Sequence, residues 1–133
     1  MSFLDKLGSI FNSSPNSDAH QLWHELESEE QFDEIMMASN EKTQIVFKHS
    51  PRCSVSFFAM KNLNDTEFWA AHNVDLHLID VIRNRELSLA FGDKVSVRHE
   101  SPQLFVIKNA EVIWHGSHNA VNTGSVAQAL RNF

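Results

Sequence analysis

The sequence predicts an α/β domain built on a mixed four-stranded sheet with helices on both faces. Three observations predict it. Two apolar, β-branched runs are separated by helical patterns, two later runs are joined by a two-residue turn, and a further helical pattern closes the chain. Strands separated by helices pair in parallel through right-handed crossovers, whereas a two-residue turn gives an antiparallel hairpin on the same sheet. A length of 133 residues, 42% of them hydrophobic, suits one domain. Such a chain buries roughly two thirds of its unfolded surface.

Residues 1–18 read as an arm and linker, and residues 19–133 as the domain. Phe3, Leu4, Leu7, Ile10 and Phe11 fall on one helical face, which predicts a short amphipathic helix that packs on the domain or a partner. The pattern leaves homodimerisation through this arm open. Only one lysine accompanies it, which disfavours a membrane-surface role. The stretch NSSPNSD that follows is a polar linker with turn chemistry.

Within the domain, Ser28 to Gln31 has the capping-box form, which predicts a helix from Glu29 to about Ala38. TQIVFKH, residues 43–49, has the continuous apolar centre of a buried strand, and Cys53 to Leu63 follows a helical period. VDLHLIDVI, residues 74–82, reads as a second strand, and residues 83–92 as a helix closed by Gly92. QLFVIKN and EVIWHGS form a hairpin around Asn109 and Ala110, and a last helix runs from about Gly124 to Asn132. The resulting order, α, β, α, β, α, β, β, α, is the thioredoxin-like arrangement.

Composition excludes several classes. With 17 acidic against 11 basic residues and a net charge of −6, the chain gains little from a phosphate backbone, so no nucleic-acid partner is expected. A single cysteine permits neither an internal disulfide nor a Cys-rich zinc site, and it predicts a reducing, cytoplasmic compartment. No apolar run is long enough for a membrane span or a signal peptide. Among four glycines there is no Gly-rich phosphate loop.

The lone Cys53 lies after a strand, at a helix start, preceded by KHSPR. An ordinary free cysteine packs as a small buried hydrophobe. At a helix start, however, unpaired amides and the positive end of the macrodipole stabilise a thiolate, which is the reacting form. Lys48, His49 and Arg52 lie within a few residues and add positive charge where they face the sulfur, which the sequence alone leaves open for each. Ser56, one turn on, offers a hydroxyl to a thiolate but forms no disulfide with it. C-x-x-S therefore allows attack without self-resolution, so a second thiol from another molecule must release any mixed disulfide at Cys53. The second element is HESPQ, residues 99–103, where Ser101-Pro102 occupies the position at which a thioredoxin-like fold carries a cis proline beside the sulfur.

FKHSPRCSVS, DVIRNRELS, HESPQ and VIWHGSH, in this order and spacing, resemble the bacillithiol-system monothiol bacilliredoxins, a general-stress family of the thioredoxin superfamily. The similarity runs from about Trp23 to Phe133. It implies a monothiol thiol-disulfide oxidoreductase that removes bacillithiol from mixed disulfides on client proteins. Bacillithiol is then a co-substrate, with no tightly bound cofactor and no metal. The resemblance carries Cys53 over as the nucleophile, Ser101 and Pro102 as the cis-proline site, and Lys48, His49 and Ser50 with His99, Glu100 and Ser101 as the rim of the pocket. The chain departs from the family at Pro51 and Ser54, where many relatives have threonine and proline.

Other readings compete. A monothiol redoxin of another branch holds an iron-sulfur cluster, but this chain lacks the glycine and aromatic of C-G-F-S; a non-catalytic interaction domain would keep the fold with an inert cysteine. His20 and His24 have an i, i+4 metal-ligand spacing without an evident third ligand, and surface or interface roles fit them better. Arg85 has the fork geometry to hold a carboxylate-bearing thiol, against the simpler reading of a solvated helix charge. His115 and His118 lie near the same strand ends, His118 where it would cap or close the loop before the last helix.

Overall fold

The computed structural model describes residues 22–133. Its elements are β1 (His24–Glu25), α1 (Glu30–Ala38), β2 (Thr43–His49), α2 (Ser54–Leu63), α3 (Thr66–Ala70), β3 (Val74–Asp80), α4 (Arg85–Val95), β4 (Gln103–Lys108), β5 (Glu111–Ser117) and α5 (Thr123–Asn132). A 3-10 turn at His118–Ala120 leads into α5. The expected arm helix and His20 lie outside the described residues.

The sheet has five strands in the order β1-β3-β2-β4-β5, one more than the sequence predicts. The addition is β1, which pairs in parallel with β3 through His24↔His77 and Glu25↔Leu78. Two residues are too few to show a period of two, so the pattern had no way to reveal it. β2 pairs in parallel with β3 and antiparallel with β4, as the crossover and hairpin patterns require.

Strand alternation sorts the core into two layers. Ile45 and Phe47 of β2 pack with Ala59, Met60 and Leu63 of α2, Trp69 of α3 and Val126 of α5. Val46 faces the opposite side, with Phe32 and Ile35 of α1 and Phe91 of α4. Each valine, leucine, isoleucine, phenylalanine or methionine side chain among them, when fully buried, contributes about 1.5–3 kcal/mol of transfer free energy. Helices α2, α3 and α5 therefore cover one face, and α1 and α4 the other.

Several boundaries move for local reasons. Gly92 does not close α4; the helix continues to Val95 and ends on Ser96 in the left-handed region, at φ 57°. Gly92 is instead a point of close approach. A Cβ there would lie 2.9 Å from the Val97 carbonyl oxygen of the returning chain, whose own N–H donates to the Gly92 carbonyl at 3.0 Å. β3 stops at Asp80, whose Oδ1 accepts the N–H groups of Ile82 and Arg83 at 2.9 Å each and turns the chain out of the sheet. Only the glutamine half of the capping box forms: Gln31 Oε1 accepts from the N–H of Ser28 at 3.0 Å and of Glu27 at 2.7 Å. The short helix α3, which the pattern did not suggest, is capped by Asp65 Oδ1 on the Phe68 N–H at 3.0 Å.

The hairpin turn holds Asn109 at φ 53° and Ala110 at φ 61°, the paired left-handed residues of a type I′ turn. An alanine there is strained. Ser39 offsets the strain by accepting the Asn109 N–H on its carbonyl and the Ala110 N–H on its hydroxyl, each at 2.8 Å.

Near the end of β2, Lys48 pairs with Gln103 of β4 and His49 with Asp80 of β3. The loops after β2 and β3 and the loop before β4 consequently meet at one end of the sheet. In open α/β sheets this carboxyl end of the parallel strands is where sites form.

Candidate active site

Cys53 is the N-cap of α2, with extended backbone at φ −97° and ψ 127°. It is half-buried and carries a free thiol. Its N–H donates to the Ser50 carbonyl at 3.1 Å, closing the Ser50–Cys53 turn, and its carbonyl accepts the first helical bond from Phe57 at 2.9 Å. The sulfur is thus attached where the helix still has unpaired amides, the setting that favours a thiolate. Arg52 beside it is exposed.

Ser56 is completely buried. Its Oγ accepts the Ser50 N–H at 2.9 Å and lies 2.7 Å from His49 Nδ1. The hydroxyl of C-x-x-S therefore locks the loop before the cysteine, tying the second helical turn to the end of β2. Among the described residues no hydrogen bond joins it to the Cys53 sulfur. His49, Ser50, Cys53 and Ser56 are brought together; Lys48 is not.

Lys48 alternates to the opposite face of the sheet and is wholly inaccessible to solvent. Its ammonium donates to the Ser88 carbonyl of α4 at 2.8 Å and lies 3.1 Å from His99 Nδ1. The rings of Phe91 and Phe105 flank it, with centroids at 5.9 and 5.6 Å. Burial lowers its pKa from 10.5 to about 8, against the opposing attraction of Asp93. Burial is also the main reason that the His99 pKa falls, with the charges of Lys48 and Arg85 acting in the same direction.

The loop before β4 carries a cis peptide bond at Ser101-Pro102. Gln103 brackets this loop from inside. Its Nε2 donates to the Arg98 carbonyl at 3.0 Å and its Oε1 accepts the Glu100 N–H at 3.2 Å. On the other side the His118 N–H donates to the Pro102 carbonyl at 3.0 Å, with His118 at φ 54°. Ser101 Oγ is buried without a hydrogen-bond partner among the described residues. The Glu100 carboxylate is held below its ordinary pKa, first by a hydrogen bond from Ser117 and further by His118, Arg98 and His115.

Of the remaining candidates, Arg85 is exposed at the first turn of α4, and His115 stacks on Phe105 at a centroid distance of 6.3 Å. His24 packs edge-on against His77 at 6.0 Å. Among the described residues no three His, Cys, Asp or Glu side chains group as a metal site. Two contributors escaped the sequence reading. Ser88 is a buried polar residue on the apolar face of RELSLAFG, and Gln103 is a buried amide opening an apolar strand. A polar residue at a core position was the available signal in both cases.

Among solved structures, a candidate oxidoreductase with a thioredoxin fold is 32% identical and superposes with a TM-score of 0.73, covering 84% of this chain and 96% of that one. A thioredoxin from Trypanosoma brucei brucei is 18% identical at a TM-score of 0.64, over 83% and 88% of the two chains. Mitochondrial thioredoxin 3 from Saccharomyces cerevisiae is 12% identical at 0.64, over 86% and 99%, a likeness of fold. No described helix is long and apolar enough to cross a membrane. The sequence matches the monothiol bacilliredoxin BrxC family over residues 24–126, and the family and the oxidoreductase fold together support a redox role. The chain belongs to the monothiol bacilliredoxin BrxC family, within the thioredoxin fold.

Proposed function

We propose that this protein is a monothiol thiol-disulfide oxidoreductase that removes bacillithiol from mixed disulfides on client proteins in a reducing compartment. The observation that carries the reading is Cys53 at the N-cap of α2, half-buried, with a serine at the fourth motif position and the cis Ser101-Pro102 loop at the same end of the sheet.

The Cys53 thiolate attacks the bacillithiol sulfur of the client's mixed disulfide. A new sulfur–sulfur bond forms at Cys53, the old one breaks, and the client leaves as a thiolate that takes a proton from water. Because Ser56 supplies no second thiol, a low-molecular-weight thiol such as bacillithiol then attacks the captured sulfur. That step restores the Cys53 thiolate and releases a bacillithiol disulfide, so two disulfide exchanges balance without any other oxidant or reductant. The α2 amides stabilise the thiolate both as nucleophile and as leaving group. Lys48, His99 and Gln103 shape the loop, and His49 with Ser50 and Ser56 hold the cysteine turn. Arg52 and Glu100 line the rim.

The test is transfer from a bacillithiolated client to the reduced chain, compared with Cys53→Ser. Wild-type protein is expected to free the client thiol and Cys53→Ser to lose that activity. Undiminished release by Cys53→Ser would overturn the reading.

A further inference from the structure

Lys48 is a buried ammonium without a salt bridge among the described residues. Taking such a charge out of water is costly, and an apolar side chain of similar length between Phe91 and Phe105 would avoid the cost. What the charge provides is a pair of hydrogen bonds joining three elements. From β2 it reaches the Ser88 carbonyl on α4 at 2.8 Å and His99 Nδ1 in the loop before β4 at 3.1 Å. Because an ammonium only donates, His99 accepts on Nδ1 and keeps its own proton on Nε2. Ser88 Oγ lies 3.4 Å from the same ring nitrogen, so one residue of α4 meets both partners.

His99 stands two residues before Ser101. The segment is otherwise secured by Gln103 on the Arg98 carbonyl and the Glu100 N–H. The Gln103 bonds hold the backbone on either side of His99, while Lys48 holds its side chain. Lys48 also immediately precedes His49, the residue bonded to Ser56 on the cysteine side of the sheet. One strand end thereby fixes both the cysteine turn and the proline loop, on opposite faces.

We propose that Lys48 is a positioning residue for thiol transfer: through His99 it holds the Arg98–Gln103 segment, and with it the cis Ser101-Pro102 bond, in place to receive a mixed disulfide at Cys53. The role rests on the thiol-transfer reading above, and it concerns docking of the disulfide rather than reactivity of the sulfur.

The test uses the full chain with Lys48→Met, His99→Leu and His99→Asn. Three quantities are measured on each: steady-state transfer from a bacillithiolated test protein, the alkylation rate of Cys53 by iodoacetamide, and the melting temperature. Lys48→Met and His99→Leu are expected to raise KM at least fivefold with a smaller change in kcat. Alkylation, which needs no loop, stays within twofold. His99→Asn restores most of the kcat/KM lost in His99→Leu, because its Oδ1 stands close to where Nδ1 was. Combining Lys48→Met with His99→Leu costs no more than either alone. Wild-type kcat/KM in folded Lys48→Met or His99→Leu overturns the positioning role and leaves the thiol-transfer reading standing. Equal losses of transfer, alkylation and melting temperature also overturn it, since they mark a general loss of structure. A wild-type chain that alkylates but never transfers overturns the thiol-transfer reading, and the positioning role with it.

Discussion

Lys48 and His49 are consecutive residues whose side chains serve opposite faces of the sheet: the Lys48 ammonium lies 3.1 Å from His99 Nδ1, and His49 Nδ1 lies 2.7 Å from Ser56 Oγ. The period of a strand does this without any special geometry. It separates the polar side chains that precede the cysteine into one group beside the cysteine turn and one behind the proline loop.

Ser56→Ala tests the first group. The substitution leaves the half-buried Ser50 N–H without its acceptor at 2.9 Å and removes the bond to His49. An unsatisfied buried donor costs about 1–3 kcal/mol. Denaturant unfolding of Ser56→Ala should show a loss in that range; a loss below a few tenths of a kcal/mol would mean that the hydroxyl does not lock the turn.

Gly92→Ala sets two effects against each other. Alanine in a helix interior gains about 1 kcal/mol over glycine. The added Cβ, however, would meet the Val97 carbonyl oxygen at 2.9 Å, a backbone atom with no rotamer to yield. Overpacking of this kind costs about 1–3 kcal/mol. We expect net destabilisation in thermal melts, together with slower thiol transfer as the chain at Val97–His99 shifts; a stabilised variant would contradict the close approach.

His77 gives an acid limb to stability. Burial lowers its pKa from 6.5 to about 4. Its Nε2 lies 2.7 Å from Gln44 Oε1, and the Gln44 amide is oriented by Asp75 Oδ2, which accepts from Gln44 Nε2 at 2.7 Å. Nε2 therefore carries the proton of the neutral ring. The unfolded histidine binds a proton near 6.5 and the folded one only near 4, so stability falls as pH drops through this interval. The size is about 2 kcal/mol, reduced for the partial exposure of the site. His77→Leu should be less stable than wild type at pH 7, with Gln44 Oε1 left unpaired, yet show a flatter decline between pH 6.5 and 4. Parallel decline in both proteins would rule out His77 as the source.

Lys48 acts at the alkaline side. Its folded pKa of about 8 lies below the unfolded 10.5, so the folded state binds the proton less tightly. The resulting penalty is complete below pH 8 and is relieved as pH rises toward 10.5, by at most about 3 kcal/mol. Desolvation outweighs the attraction of Asp93 here. Lys48→Met is therefore expected to be at least as stable as wild type at pH 7, with its advantage shrinking by pH 10. A marked loss of stability at pH 7 would show that the two hydrogen bonds outweigh desolvation.

Periodicity made most of the fold legible. The apolar run Thr43–His49, the hairpin around Asn109 and Ala110, and the helix after Cys53 were each readable from local pattern, and Ser101-Pro102 from its place before β4. β1 was not readable, because two residues acquire strand geometry only by pairing with β3. Gly92 was misread since a helix-ending glycine and a glycine making room for a neighbouring chain look identical in sequence. The site was legible in its residue types and not in its directions. Sequence places Lys48 and Ser56 near the cysteine but leaves their facing open; tertiary contacts turn one toward His99 and the other toward His49 and Ser50.

In the proposed reaction Cys53 accepts a low-molecular-weight thiol from a client's mixed disulfide. Intact mass of the reduced chain after mixing with a bacillithiolated protein, and in parallel with a glutathionylated one, tests it most directly. The predicted result is a single bacillithiol adduct mapped to Cys53 and an equal amount of freed client thiol, with the glutathionylated mixture reading out thiol preference. An unmodified Cys53 and an intact mixed disulfide in both mixtures would contradict the claim.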